Sequence, residues 1–160
     1  MITDLAGWRM MTMNERLFNT PFEMGLRIIM LLSAAPKKTF SVDRIIALDF
    51  ITSYASDFGL PFENLHGENN YRYSEIVGRR LLVQEAVKKL VIEGMLDVTV
   101  DRGYLFSISD EGKKYAKKLK STYAIEYVQI AKEAIKKYKD NTDEGILATI
   151  QNHAVSAVRG

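Results

Sequence analysis

Cysteine is absent from the 160 residues, histidine occurs only twice and proline three times. Without cysteine the chain has no disulfide bonds and no thiolate metal ligands. His66 and His153 each lack a second histidine at the spacing of a metal site. The sequence shows no glycine-rich phosphate loop and no grouping of a nucleophile with an acid or base. We therefore predict a protein that is not an enzyme, with no cofactor and no metal.

Charge of one sign and long apolar runs are also scarce. The net charge of +2 is too small to indicate a nucleic-acid-binding protein by itself. No early run is apolar and long enough for a signal peptide or a membrane span, so we expect a cytoplasmic location and no membrane partner. A length of 160 residues suits one domain with its own core.

Residues 73–108 combine a long amphipathic segment, a stop signal and a tight hairpin. Gly94 follows the periodic segment, where a glycine can close a helix in the left-handed conformation. Leu96–Val100 and Tyr104–Ile108 alternate apolar and polar residues, which predicts two half-buried strands. We predict an α+β, mainly α fold: a winged helix-turn-helix with one β-hairpin wing and additional C-terminal helices. The apolar stripe of its long helix consists of Ile76, Val83, Val87, Leu90 and Val91.

Capping residues predict the remaining helices. Further helices are expected over residues 21–35, from 41 to about 58, after 109, over 121–139 with Ile125 among the buried residues, and over 146–158. Their caps are Thr20, Ser41, Ser109 and Asn141. We divide the chain into an N-terminal arm at 1–19, a winged-helix domain at 20–120, and a C-terminal helical extension at 121–160 that packs on the same domain.

Basic residues suggest a possible DNA-binding surface, because a winged helix can place its long helix in the major groove. Glu75, Glu85 and Glu93 share that helix, and Asp97 and Asp101 lie in the wing, where a phosphate backbone would repel them. A solvated face with ion pairs and a sequence-specific DNA-binding surface both remain open. The candidates for contacts to a nucleic-acid backbone are Lys88, Lys89, Lys113, Lys114, Lys117 and Lys118.

The irregular stretch at 57–72 contains too many large apolar residues for a solvated linker, so it packs on the protein body or on a partner. Arg79 and Arg80 flank the apolar stripe of the long helix. Their stems could run along the core edge, they could pair with a carboxylate within the chain or across an interface, or the helix could break near Gly78. We predict a partner interface formed or supported by Leu60, Phe62, Leu65, His66, Tyr71, Arg72, Arg79 and Arg80.

The order of several short motifs resembles one protein family. The motifs read NTPFEMGLR at 19–27, LDF at 48–50, GLP at 59–61, NLH at 64–66, RYSE at 72–75 and GRR at 78–80. A helix, Gly94 and the wing follow them, and together these features cover about residues 19–119. In this order they resemble the middle component of the ABC three-component bacterial systems, the group that includes the small subunit of Lamassu-type anti-phage defence.

The resemblance implies a non-catalytic winged-helix subunit between an SMC-like ABC ATPase and a toxic effector of the nuclease type. ATP binding and catalysis would belong to those partners, and DNA would be sensed by the complex. The alternative is a winged-helix transcription regulator that binds DNA by itself.

Overall fold

The structure is a computed structural model that describes residues 20–68 and 71–159, so the predicted arm at 1–19 lies outside it. The described residues form a mainly helical α+β fold with one antiparallel hairpin, which confirms the predicted class. In chain order the elements are α1 (Pro21–Ser33), α2 (Val42–Ser53), α3 (Glu75–Ile92), β1 (Leu96–Val100), β2 (Tyr104–Ile108), α4 (Asp110–Lys117), α5 (Thr122–Lys137) and α6 (Asp143–Arg159).

Helix α1, whose sequence is nearly continuously apolar, lies at the centre of the described residues. It begins as expected, with Pro21 in the first turn and the Thr20 hydroxyl accepting the Glu23 N–H at 3.1 Å. The helix contacts α2, α3, α4, α5 and β2. At about 1.5 to 3 kcal/mol per fully buried aliphatic side chain, α1 is a main source of stability.

Helix α2 is shorter than the sequence suggests. Its cap at Ser41 is confirmed, since the Ser41 hydroxyl accepts the Arg44 N–H at 3.0 Å. The helix ends at Ser53 instead of near residue 58, because Tyr54 leaves helical geometry at φ −127° and ψ 48°. A 3₁₀ turn at Ala55–Phe58 follows and closes on Gly59 at φ 75°. This turn starts the irregular stretch that leads to α3.

Helix α3 and the hairpin follow the predicted order. A 3₁₀ turn at Arg72–Ser74 precedes α3, and Gly94 after it takes the expected left-handed conformation at φ 80°. The strands pair antiparallel from Leu96↔Ile108 to Val100↔Tyr104. Phe40 forms an isolated bridge to Phe106 on the other side of β2.

The predicted half-buried character of the hairpin is wrong towards the turn. Leu96, Phe106 and Ile108 at its base are buried, whereas Val100 and Tyr104 near the turn are 74% and 68% exposed. The alternation places these side chains on one face of the sheet. The face is covered only where the helices reach it.

The C-terminal helices pack on the same body. Helix α4 contacts α1 and β2, α5 contacts α1 and α2, and α6 contacts α2. Ser109 caps α4 as predicted, and Ser121 starts a separate α5. The predicted cap at Asn141 is wrong: α6 begins at Asp143 instead of 146, and the hydroxyl of Thr142 accepts the Gly145 N–H at 3.0 Å. The expected burial of Ile125 is wrong: it is 59% exposed, and Tyr127 is buried instead.

Gly112 allows a close approach of α4 to the start of β1. A Cβ at Gly112 would lie 2.2 Å from the Met95 carbonyl oxygen, so only glycine lets α4 approach the start of β1 this closely.

Polar contacts connect α2 and α6. Arg44 donates from Nε to the Asp143 carboxylate at 2.7 Å, and the Ser41 hydroxyl donates to the same group at 2.5 Å. Both hydrogen bonds to Asp143 join the start of α2 to the start of α6.

Candidate functional site

A buried group of polar side chains is centred on the carboxylate of Asp49 in α2. Arg27 of α1 donates to it twice, from Nε to Oδ1 at 2.9 Å and from Nη2 to Oδ2 at 3.1 Å. Arg79 of α3 donates from Nη1 to Oδ2 at 2.5 Å, and the Tyr127 hydroxyl of α5 donates to Oδ1 at 2.6 Å. These four residues, which we call the Asp49 cluster, are at most 1% exposed. One carboxylate therefore joins four helices.

The surroundings of Asp49 keep it ionised. Burial alone would raise the pKa of this carboxyl, but the charges of Arg27 and Arg79 and the hydrogen bonds outweigh burial, so the pKa lies well below its usual range. Burial alone would lower the pKa of Arg27, and contact with Asp49 raises it overall. The cluster is therefore a charged assembly held out of water, and its stability depends on complete pairing.

Arg79 extends the cluster towards the start of α3. Its Nη2 donates to Glu75 Oε2 at 3.2 Å, and the Tyr54 hydroxyl donates to the same oxygen at 3.2 Å. Its guanidinium carbon lies 5.2 Å from the centre of the Phe50 ring. Two carboxylates therefore balance the two buried guanidinium groups.

His66 lies beside the cluster at 5% exposure. Its Nε2 is 2.8 Å from the Tyr123 hydroxyl, and its backbone N–H donates to the Ser53 carbonyl at 3.2 Å. Burial and the positive charges of Arg27 and Arg79 lower the pKa of His66 to about 2, against a weaker opposing effect of Asp49. The imidazole is therefore neutral at physiological pH.

The alternatives for Arg79 and Arg80 are resolved by their surroundings. Both pair with carboxylates of this chain: Arg79 with Asp49 and Glu75, and Arg80 with Asp43 at 2.5 Å. The helix is continuous through this stretch. Arg79 is buried and can support a surface only from within, whereas Arg80 is 50% exposed. That Arg79 supports a partner interface and that Arg80 contacts a partner stay predictions.

The loop between α2 and α3 is tied down by Asp57. Its carboxylate accepts from Arg72 Nε at 2.5 Å, from the Tyr73 hydroxyl at 3.1 Å and from Asn64 Nδ2 at 3.2 Å. Asn64 in turn accepts the Ser56 N–H at 2.9 Å. Arg72, predicted at an interface, is thus held against the protein by an ion pair.

The apolar residues predicted for the interface occupy different environments. Leu60 and Leu65 pack, partly buried, against the core. Phe62 is also partly buried, Tyr71 is 78% exposed, and His66 is buried. The structure therefore leaves Tyr71 and part of Phe62 at the surface, while Leu65 and His66 help to close the body.

The six lysines proposed for nucleic-acid contacts are all exposed. Three of them have an acidic neighbour within 4 Å, three or four positions away in the chain: Lys89 with Glu93, Lys113 with Asp110, and Lys114 with Glu111. Lys88, Lys117 and Lys118 have no such pair within the described residues. The basic surface is therefore partly neutralised by its own helices.

Large apolar side chains are exposed on the outward side of α3. Val77, Leu81 and Ile92 are 82%, 64% and 78% exposed. They lie four and eleven positions apart, a spacing that keeps them on one side of a helix. Gln84 and Lys88, which are also exposed, lie between them on that side.

The residues at 20–68 and 71–159 were also compared with the features of metal, pocket and membrane sites. No group of three or more acidic or histidine side chains in these ranges could hold a metal ion. One open surface pocket of about 280 Å³ lies between α1 and α5 and is lined by Glu23, Leu26 and Tyr123 among others. The described helices include none with the length and apolar character needed to cross a membrane.

Sequence reasoning identified Arg79 and His66 but gave no role to Arg27, Asp49 or Tyr127. The sequence does contain a signal for Arg27 and Asp49, because each of them interrupts an apolar run of its helix. A charged residue in such a run is buried and needs a partner. The motifs that carry the family resemblance contain Arg27, Asp49, His66 and Arg79, and the structure brings them together.

Comparisons with known proteins agree with that resemblance at the level of the family. A family model described as ABC-three component (ABC-3C) system Middle Component 2 matches residues 17–159. Comparisons with curated proteins and with solved structures found no match. Because the family model matches most of the length of this chain, the chain belongs to the family of middle components of ABC three-component systems.

Proposed function

We propose that the protein is a non-catalytic subunit that bridges an SMC-like ABC ATPase and a nuclease-type effector in a bacterial anti-phage or anti-plasmid defence complex of the Lamassu type. The observation that carries the proposal is family membership over residues 17–159, since a middle component has the other components of its system as partners. In this proposal ATP and catalysis belong to those partners, and DNA is sensed by the whole complex.

The order of elements supports a winged-helix assignment for the first part of the chain. Helices α1, α2 and α3 are followed by the hairpin, and α3 contacts both α1 and α2. The backbone bridge between Phe40 and Phe106 adds a residue from the α1–α2 connection to the small sheet. In this assignment α3 is the helix that would enter a DNA groove, and the hairpin is the wing.

The exposed side of α3 favours a protein partner over DNA. Val77, Leu81 and Ile92 are exposed there, and burying them against another protein removes apolar surface from water. The charged phosphates and the mostly polar base edges of DNA form few favourable contacts with such aliphatic side chains. Glu85 on this helix and Glu93 directly after it would also oppose close approach to a phosphate backbone.

The loop before α3 supports the same proposal. Tyr71 is exposed, Phe62 is partly exposed, and the ion pair of Arg72 with Asp57 fixes the loop in place. Aromatic residues on a preorganised loop are typical of interface hot spots. Arg79 would support this surface from within through Glu75.

The second candidate, a DNA-binding regulator, is favoured by the exposure of all six candidate lysines. Since three of these lysines have acidic neighbours, we expect weak binding to any duplex, lost between roughly 50 and 200 mM salt. Fluorescence anisotropy with short duplexes of unrelated sequence measures this directly. Nanomolar affinity for one sequence at physiological salt would favour the regulator.

The direct test is co-expression with the ATPase and effector components of the same system, followed by size-exclusion chromatography. We expect this chain to co-elute with at least one of them, and Leu81→Glu to weaken the complex by about tenfold or more, because it places a charge in an apolar contact. Glu85→Lys, one turn further along α3, is the control for a change of surface charge. Elution of the wild-type chain alone would refute the proposal.

A further inference from the structure

The outer edge of β1 has unpaired backbone groups. Phe40 and Phe106 exchange two backbone hydrogen bonds, each of 2.8 Å, so the N–H and C=O of Phe106 point away from β1. Phe106 faces Val98 across the sheet. In an antiparallel ladder this makes Val98↔Phe106 a non-hydrogen-bonded pair, and the backbone groups of Val98 point away from β2.

The rest of the register agrees with this orientation. Asp101 donates its N–H to the Gly103 carbonyl at 2.9 Å, which fits hydrogen-bonded pairs at every second position of the hairpin. Leu96, Val98 and Val100 therefore all direct their backbone groups to the outer edge. Within residues 20–68 and 71–159, the backbone of Val98 has no hydrogen-bond partner outside the hairpin.

The same strand carries apolar side chains on one face. Leu96 at its start is buried in the core, whereas Val98 and Val100 are 41% and 74% exposed. Tyr104, opposite Val100, is 68% exposed. The apolar face thus runs from the core out to the turn. An additional strand along β1 would extend this face and cover Val98 and Val100.

The opposite face of β1 is acidic. Asp97 and Asp101 are exposed, and neither has an ion-pair partner within 4 Å among the described residues. Arg102 is the one basic residue of the hairpin sequence. Two copies of β1 pairing across this edge would bring their acidic faces together, which opposes self-association. A strand with basic residues at alternate positions has the complementary charge.

We propose that the open edge of β1 binds an extended segment of a partner component by strand addition, and that this segment alternates aliphatic and basic residues. The backbone groups of Val98 and Val100 would supply the hydrogen bonds, and Asp97 and Asp101 the charge selectivity. The inference rests on the proposed function, because it specifies how this subunit contacts a partner component.

The test uses the full chain co-expressed with the other components. Val98→Pro removes an outward N–H that the hairpin does not use, so the fold should persist while complex formation falls by about tenfold or more. Val98→Thr keeps the N–H and the branched shape and should bind as wild type does. Asp97→Lys combined with Asp101→Lys should weaken binding comparably without altering the backbone.

Hydrogen exchange of the wild-type complex provides an independent readout. We expect the amides of Val98 and Val100 to become protected on binding. Wild-type binding by all variants, or protection confined to α3, would overturn strand addition and leave the bridging role intact. A dimer of the isolated chain that Val98→Pro dissociates would identify a second copy as the occupant. Absence of any wild-type complex would refute the proposed function and, with it, this inference. If Val98→Pro unfolds the chain, the combined Asp97→Lys and Asp101→Lys variant tests strand addition instead: weaker binding supports it, and wild-type binding overturns it.

Discussion

Replacing Asp49 with asparagine removes the one negative charge that Arg27 and Arg79 share. Asparagine has nearly the same shape, so the change isolates charge from packing. The two arginines are 0% and 1% exposed, which leaves them no route to water in the folded chain. Two buried guanidinium groups would then face a neutral amide at this position, while Arg79 keeps its ion pair with Glu75.

The expected loss follows from the geometry. Breaking a buried ion pair by neutralising one partner costs about 3–5 kcal/mol, because an uncompensated charge stays buried. Asp49 accepts three hydrogen bonds from the two arginines, and the fourth, from Tyr127, is also weakened when the acceptor becomes neutral. Domains of this kind have total stabilities of about 5–15 kcal/mol. A loss of this size therefore lowers the melting temperature by roughly 6–20 °C.

Asp43→Asn is the matched control. It lies in the same helix and undergoes the same chemical change, but its partner Arg80 is 50% exposed and Asp43 is 38% exposed. An ion pair at the surface contributes about 0–1 kcal/mol. Urea unfolding followed by circular dichroism measures both variants. Equal losses for the two, or a loss below about 1 kcal/mol for Asp49→Asn, would refute a central role for the cluster.

Acid titration gives a second readout of Asp49. Because its pKa is depressed in the folded state, its contribution is complete above the unfolded pKa of about 4 and decreases as pH falls further. The wild-type chain should therefore lose stability below about pH 4, and Asp49→Asn should lack that part of the loss. An unchanged profile in the variant would show that Asp49 is not held ionised by the fold.

Three further predictions follow from the surroundings of single residues. His66 is neutral in the fold with a pKa of about 2, so unfolding takes up a proton below about pH 6.5. The free energy of unfolding should therefore fall by about 2 kcal/mol from pH 7 to pH 5, as measured by urea titrations at each pH. His66→Gln should make that decrease smaller. Gly112→Ala should destabilise the chain by about 1–3 kcal/mol in thermal melts, because its Cβ would meet the Met95 carbonyl, and an unchanged melting temperature would contradict that contact. Leu65→Ser should lower the melting temperature, because Leu65 packs on the core. Phe62→Ser should weaken co-elution with the partner components and leave the melting temperature nearly unchanged. A loss of stability in Phe62→Ser would assign the Phe62 ring to the core.

Features that depend on neighbours in sequence were predictable. Thr20, Ser41 and Ser109 were expected to cap helices, and each accepts the N–H three positions on. Gly94 was expected after α3 and takes a positive φ there. These features depend on contacts and dihedral angles within a few residues, so the local sequence carries enough information to specify them.

Burial was less predictable, because periodicity shows which side chains share a face and not what covers that face. Val100 continues the apolar face of Leu96 but lies beyond the reach of the helices. Ile125 was expected in the core of α5 and is exposed, while Tyr127 takes the buried position and donates to Asp49. Both errors come from the packing of distant elements, which a local pattern does not contain.

The amino-acid sequence by itself determined the order of helices and strands, the caps at Thr20, Ser41 and Ser109, the hairpin and the motifs that carry the family resemblance. Only the tertiary structure brought Arg27, Asp49 and Tyr127 together, since Arg27 lies 22 positions and Tyr127 lies 78 positions from Asp49. The same holds for the open edge of β1, which follows from the side on which Phe40 pairs with β2. The physical reason is that local energies act over a few residues, whereas a buried charge is stable only where the whole chain closes around it with its partners in place.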